Sequence, residues 1–244
     1  MYQFFVEDHQ VRETEISILG SDVNHIKNVL RMKPGTKVRI SDESGHSFFC
    51  LLESITEDEV IATISEVDGK GTELDNKIYL FQGLPKGDKM ELIIQKAVEL
   101  GVYEVIPVAM RNCVVKLDDK KAAKKIERWQ EIAKSAAKQS KRTLIPEIKA
   151  PLSWKLALEK AKELDVVLVP YENERGMEAT REVIRSIRHG QSIGIFVGPE
   201  GGFAIDEITN VSEEMHRISL GRRILRTETA GLATLSMLVY ELDE

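Results

Sequence analysis

Apolar residues in the first 70 positions come in short bursts. Phe4-Phe5-Val6, Lys37-Val38-Arg39-Ile40, Phe48-Phe49-Cys50-Leu51-Leu52 and Val60-Ile61-Ala62-Thr63-Ile64 are separated by turn chemistry such as Lys33-Pro34-Gly35-Thr36 and Glu43-Ser44-Gly45-His46. One helix is expected near residues 22–30, where Val23, Ile26, Val29 and Leu30 share a face. About six short strands and one helix read as a small β-barrel. The polar, glycine-bearing stretch Asp68-Gly69-Lys70-Gly71-Thr72-Glu73 then marks a boundary between a domain over 1–70 and another over 73–244.

From Ile78 the pattern becomes strands alternating with helices, the signature of an α/β domain with a mainly parallel sheet. Strands are expected at 78–82, 104–109, 165–169, 192–197 and 217–220. Asp88 is placed to cap the first helix, with Glu91 three residues on. Met90, Ile93, Ile94, Ala97 and Leu100 line one face of that helix, and Gly101 stands where a terminating glycine belongs. A longer helix is expected over 119–140. Its apolar stripe is Ala122, Ile126, Trp129, Ile132, Ala133, Ala136 and Ala137, and its other side carries Lys121, Lys124, Lys125, Arg128 and Lys138. A helix near 205–214 follows, and the last, near 229–242, is apolar nearly all round. Such a helix must be covered on most sides, by a partner subunit or by its own domain.

With 244 residues, 42% of them hydrophobic, the chain has material for two cores. No apolar run approaches a membrane span, and Met1-Tyr2-Gln3-Phe4-Phe5-Val6-Glu7-Asp8 lacks the pattern of a signal peptide. Cys50 and Cys113 lie far apart without metal-ligand spacing and read as buried thiols. These features point to a cytoplasmic protein with no membrane association and no metal. The formal net charge of −6 conceals segregation: residues 116–149 hold 11 Lys/Arg against 5 Asp/Glu. Residues 25–39 carry Lys27, Arg31, Lys33, Lys37 and Arg39 with no acid. Two basic islands in an acidic chain suit a polyanionic partner, although each is also compatible with a solvated face.

Two loops carry the candidate chemistry. Gly198-Pro199-Glu200-Gly201-Gly202 follows the apolar strand ending at Val197, where open α/β sheets bind ligands and where glycine lets a ligand approach the backbone. It lacks the lysine ending of a P-loop and the dinucleotide-binding spacing. Glu200 would repel a phosphate, so a ligand with hydroxyls, an amine or a cationic centre fits better. The second loop, Leu220-Gly221-Arg222-Arg223-Ile224-Leu225-Arg226-Thr227-Glu228-Thr229-Ala230, leaves a strand and enters the last helix, with Thr227 or Thr229 able to cap it. Its three arginines suit an anion or a polar base edge, or else ion pairs between subunits. The histidines are scattered, and no zinc-protease, C-x-x-C or serine-hydrolase motif occurs.

These loops, together with Gly83-Leu84-Pro85-Lys86-Gly87-Asp88-Lys89-Met90-Glu91, Ile94-Gln95-Lys96, Glu99-Leu100-Gly101, Val115-Lys116-Leu117-Asp118, Arg128-Trp129, Gln139-Ser140 and Arg142, resemble the RsmE family of 16S rRNA uracil-N3 methyltransferases in the SPOUT superfamily. His25 with Val29-Leu30-Arg31-Met32 extends the resemblance into the amino-terminal segment. One departure stands out, since an arginine common near the family's amino terminus is matched here by Gln3; Arg12 or Arg31 would have to replace it. The resemblance implies a PUA-like β-barrel that helps bind RNA, followed by a trefoil-knotted α/β domain. It also implies S-adenosylmethionine as cofactor, 16S rRNA within the small ribosomal subunit as partner, and a homodimer. The implied cofactor site is Val197, Gly198, Pro199, Glu200, Gly201, Leu220, Gly221, Ile224, Leu225, Arg226, Thr229 and Ala230. The implied RNA contacts are His25, Arg31, Lys124, Lys125 and Arg128.

For such a reaction Arg226 is the first catalytic candidate, because a guanidinium near the uracil carbonyls stabilises the anion formed as N3 loses its proton. Glu228 or Glu200 is placed to take that proton. Two rivals remain open at this point: a non-catalytic RNA-binding assembly factor, and an enzyme acting on tRNA or a ribose hydroxyl.

Overall fold

The computed structural model describes residues 1–69 and 71–243. Lys70, in the expected inter-domain stretch, and Glu244, at the end of the expected second domain, lie outside the described residues. The chain divides into two compact units: residues 1–73 with 137–145, and residues 74–136 with 146–244.

The first unit is built on strands β1 (Tyr2–Phe5), β2 (Glu15–Leu19), β3 (Lys37–Ser41), β4 (Ser47–Ile55) and β5 (Glu59–Val67). They pair in the order β1-β3-β4-β5-β2, with β1 parallel to β3 and the rest antiparallel. Two register shifts in β4 bend the sheet, as bulges do. β2 escaped the count of apolar bursts because Ser17 interrupts its two isoleucines, yet all three side chains are buried. Phe4, Ile16, Ile18, Val38, Ile40, Leu52 and Val60 form the core.

The expected helix near 22–30 is instead a short α1 (Ser21–Asn24) running into a π-turn over His25–Val29. Its wider spacing is visible in Leu30 N–H donating to the His25 carbonyl five residues back. The extra residue per turn rotates the face predicted for an α-helix. Val23 and Ile26 stay in the core, but Val29 is turned out and is 61% exposed. Arg31, just beyond, takes a left-handed φ of 50°, which is uncommon for a residue with a Cβ.

A buried polar network holds residues 137–145 to this sheet. Gln3 donates to the Arg142 carbonyl and to Ser41 Oγ. Arg39, also buried, pairs with Asp68 and donates to Ser47 Oγ and the Lys141 carbonyl. Arg142 pairs with Glu73. Gln3, the position matched to a family arginine, is therefore inside the unit and holds backbone. Cys50 lies in the same core as a free thiol, pushed up to about 12 by burial.

The second unit comprises β6 (Lys77–Gly83), α2 (Lys89–Glu99), β7 (Glu104–Ala109), α3 (Asp119–Ser140, its last turn belonging to the first unit), β8 (Glu147–Ile148), β9 (Leu152–Ser153), α4 (Trp154–Ala161), β10 (Val166–Pro170), α5 (Glu178–Ser186), β11 (Ser192–Val197), α6 (Ile205–Thr209), β12 (His216–Ile218) and α7 (Thr227–Leu242). The strands form one parallel sheet in the order β12-β10-β11-β6-β7-β8, with β9 also on β7. β6, β7 and β8 run outward in one direction while β11, β10 and β12 lie on the other side of β6. A switch in strand order of this kind opens a crevice at the strands' carboxyl ends.

Phe81 and Phe196 stack at 4.3 Å between the two central strands, with Trp154 edge-on against Phe196. The stripe on α3 is buried at Trp129, Ala133, Ala136 and Ala137, whereas Ala122, Ile126 and Ile132 are half-buried. Asp88 occupies the N-cap position of α2, but its side chain does not cap; only its carbonyl accepts, from Glu91 N–H. Glu91 reaches Arg128 on α3 instead (2.8 Å). α6 ends at Thr209, five residues before the expected boundary. α7 packs on α2, α5 and β11 through Gly231, Thr234, Leu235 and Leu238, leaving Ser236 and Tyr240 exposed. Its own unit thus covers one side of the apolar helix. No helix among the described residues is long and apolar enough to cross a membrane.

Candidate functional site

β10, β11 and β12 end side by side, and a loop leaves each carboxyl end. Residues 171–177, 198–204 and 219–226 enclose a cavity of about 360 Å³. That volume lies within the range of small-molecule sites. From the glycine loop the walls are Val197, Gly198, Pro199, Glu200, Gly202 and Phe203. From the arginine loop they are Leu220, Gly221, Arg223, Ile224, Leu225 and Arg226, continuing into Thr227 and Ala230 of α7. The cavity thus joins the two loops singled out in the sequence.

Gly201 and Thr229 do not line it. Gly201 is turned toward Asn112, whose side-chain amide donates to the carbonyls of Gly201 (3.0 Å) and Gly202 (3.2 Å). Thr229 lies in the first turn of α7 on its exposed side. The third wall went unread in the sequence: Tyr171, Glu172, Glu174 and Arg175 after β10, and Lys89 at the start of α2. Position after a strand end was a usable signal for residues 171–175, but only the sheet order puts β10 between β11 and β12.

Local geometry explains why the glycines are there. A Cβ on Gly198 would sit 3.2 Å from the Gly202 carbonyl carbon, so the turn closes on itself too tightly for a side chain. Gly221 has φ of 102°, a region that disfavours any other residue. α7 begins two residues earlier than expected. Arg226 takes the N-cap position, extended at φ −67° and ψ 155°, and its carbonyl accepts from Thr229 and Ala230 N–H. Neither threonine caps the helix with its side chain. Thr227 is buried and donates to the Gly198 carbonyl instead (2.7 Å).

The charged groups sort into a held cluster and a free one. Lys89 Nζ lies 2.9 Å from Glu200 Oε1 and 3.3 Å from Glu228 Oε2. Glu200 Oε1 also accepts from Lys86 N–H. Burial pushes the Glu200 carboxyl up, but the hydrogen bonds from Lys89 and the backbone outweigh it and hold the group below its ordinary range. The Lys89 ammonium is raised above the ordinary lysine value, chiefly by its hydrogen bond to Glu200. Both partners are therefore charged at neutral pH. Arg226 differs: its side chain is 81% exposed, and its nearest carboxylate is Glu228 at 4.0 Å. Ile224 is likewise 79% exposed, and the loop turns both side chains outward at the cavity mouth.

The proposed RNA-facing residues are all at the surface. His25, Arg31, Lys124 and Arg128 are exposed and Lys125 is half-buried; Arg128 is engaged with Glu91. Among the described residues, no cluster of three or more His, Cys, Asp or Glu is disposed to hold a metal.

Residues 72–239, which carry this parallel sheet and its strand-end cavity, match the RNA methyltransferase domain family, and residues 18–65 match an RNA methyltransferase PUA domain. A ribosomal RNA small subunit methyltransferase E of Bacillus subtilis is 40% identical over 250 residues, covering 100% of this chain and 98% of that protein. The enzyme of the same name from Mesomycoplasma hyopneumoniae is 34% identical, covering 99% and 100%. A crystal structure of the Neisseria gonorrhoeae enzyme, bound to S-adenosyl methionine, superposes with a TM-score of 0.84 at 31% identity, over 98% of this chain and 97% of that one. The chain belongs to the ribosomal RNA small subunit methyltransferase E family.

Proposed function

We propose that this protein binds S-adenosylmethionine in the cavity between the 198–204 and 219–226 loops and methylates N3 of one uridine in 16S rRNA of the small ribosomal subunit. One observation carries the reading. The two loops that carry the sequence resemblance to the family meet around one cavity of suitable size at the sheet's carboxyl edge.

The lining suits this cofactor. Gly221, where a Cβ would meet nothing within 4 Å, leaves backbone open to the ligand, and Glu172 and Glu174 present carboxylates to a cationic one. Lys89, the lysine of the wall, is engaged by Glu200 and Glu228 rather than offered to a phosphate. When bound, the cofactor supplies an electrophilic methyl group. The protein's own task is to bring in an unstacked uracil, remove the N3 proton and stabilise the resulting anion. Arg226 stands at the mouth with its donors free to meet a uracil carbonyl. Glu228, 17% exposed and held by Lys89, is the proton acceptor in this reading, with Glu200 fixing Lys89 from the other side.

His25, Arg31, Lys124, Lys125 and Arg128 would contact the RNA backbone. The α/β unit is knotted in this reading, and α7 presents Leu232, Ala233, Met237 and Tyr240 to a second copy of the chain, in a cytoplasmic homodimer. Sedimentation should give twice the chain mass, and a monomer at micromolar concentration would contradict the dimer.

The deciding experiment is incubation of the protein and S-adenosylmethionine with small subunits from a strain lacking it, followed by mass spectrometry of the rRNA nucleosides. Appearance of 3-methyluridine supports the reading. A methylated ribose, a modified tRNA, or cofactor-independent RNA binding without methylation would each replace it.

A further inference from the structure

Gln82, the penultimate residue of β6, is wholly buried at 0% exposure, yet it forms no part of the cavity wall. Its Nε2 donates to the Gly83 carbonyl (3.0 Å) and to Thr227 Oγ1 (2.9 Å). Both amide hydrogens are then used. Having accepted one of them, the Thr227 hydroxyl directs its own hydrogen to the Gly198 carbonyl (2.7 Å). The chain of bonds has a fixed polarity. Turning the amide over would set its oxygen against the Gly83 carbonyl and take the Thr227 hydrogen away from Gly198.

The arrangement leaves Gln82 Oε1 buried with no hydrogen-bond partner. An orphaned buried acceptor keeps its desolvation penalty, and an apolar side chain of the same length would avoid it. Packing alone therefore does not account for glutamine here. The amide's other end does: it joins Thr227 and Gly198, two cavity-lining residues from segments that approach each other only in the folded unit.

We infer that Gln82 is a positioning residue for the cofactor, tying the glycine loop to the first turn of α7 so that both walls of the cavity keep one spacing. The inference rests on the reading of that cavity as the S-adenosylmethionine site. A ligand gripped from two loops binds more tightly when the loops are held in register before it arrives. Without Gln82, no donor fixes the direction of the Thr227 hydroxyl, and its bond to the Gly198 carbonyl is no longer enforced.

The test is Gln82→Met, which keeps the side chain's length and removes its polar atoms. Calorimetry with S-adenosylhomocysteine should show roughly tenfold weaker binding, the scale of one lost buried hydrogen bond. KM for S-adenosylmethionine should rise in proportion, with KM for RNA unchanged and a cooperative thermal melt showing that the variant is folded. Thr227→Ser should retain the affinity while Thr227→Val repeats the loss. The double variant Gln82→Met/Thr227→Val should be no worse than either single change, because both cut one chain of bonds. Unchanged affinity in a folded Gln82→Met protein, or additive losses, would overturn the inference. Should Gln82→Met fail to fold, equal affinities of the Thr227→Ser and Thr227→Val variants would overturn it as well. Failure of the unaltered protein to bind S-adenosylhomocysteine would instead overturn the reading of the cavity.

Discussion

Gly83→Ala is the most direct probe of how the strand end supports the cavity. Gly83 closes β6 beneath the glycine loop, and a Cβ built on it falls 2.7 Å from Pro199 N, 2.8 Å from Pro199 Cδ and 3.0 Å from Met110 Sδ. Met110 can yield, being a flexible side chain. Pro199 cannot yield cheaply, because its nitrogen is backbone and its ring is tied into the tight turn between Gly198 and Gly202. Relief requires the loop to move outward by several tenths of an ångström, and that loop is one wall of the cavity. Overpacking of this kind costs about 1–3 kcal/mol. In a chain of this size it corresponds to a fall in melting temperature of roughly 2–12 °C. Cofactor affinity should fall with it, since Gly198, Pro199 and Glu200 all shift. Gly69→Ala is the control, as its Cβ would meet nothing within 4 Å. Thermal melts and calorimetry with S-adenosylhomocysteine read both effects. A Gly83→Ala protein with the melting temperature and affinity of the unaltered one would refute the argument.

Arg226→Ala should lower single-turnover methyl transfer roughly a hundredfold to a thousandfold, about 2.7–4 kcal/mol of transition-state stabilisation. The melt should barely move, because the exposed guanidinium's nearest carboxylate is 4.0 Å away; near-normal turnover would remove it from the mechanism. Changing Lys124, Lys125 and Arg128 together to Gln should weaken RNA binding and flatten its salt dependence by about 2 to 3 units of log K per log salt, leaving cofactor affinity intact. Gln is preferred to Glu because Arg128 lies 2.8 Å from Glu91, where a reversed charge would repel. The Lys89–Glu200 pair predicts a pH dependence of fixed sign. The Glu200 carboxyl is depressed, so its contribution is complete above the ordinary carboxylate range and fades as pH falls through its folded value. Lys89 is raised, so its contribution is complete below the ordinary lysine range and is lost as pH rises past it. Melts of Glu200→Gln beside the unaltered protein should therefore differ near neutrality and converge as the pH falls below the ordinary carboxylate range, and a gap that widened in acid would contradict the assignment.

Sequence alone determined what depends on local pattern. The period of apolar residues placed β7, β11 and α3 at their observed bounds, because long or strongly apolar segments bury the same face wherever they dock. Chemistry packed into consecutive residues was equally legible, and the glycine loop and the arginine loop both surfaced as candidates before any fold was known. Other features waited for the tertiary structure, each for a physical reason. The π-turn at His25–Val29 is a matter of hydrogen-bond register, which composition does not record, so Val29 was assigned to the wrong side. Asp88 and Glu91 carry the letters of a capping box, yet Arg128, 37 residues away, claims the glutamate. Gln3 reads as a lost arginine in the chain and as a buried clasp on the Arg142 carbonyl in the fold. Lys89, Tyr171 and Glu172 became cavity residues only through the sheet order, which sets β10 between β11 and β12. Pairing between strands far apart in sequence is a long-range choice, settled by which faces can be buried together, and no single segment contains that information.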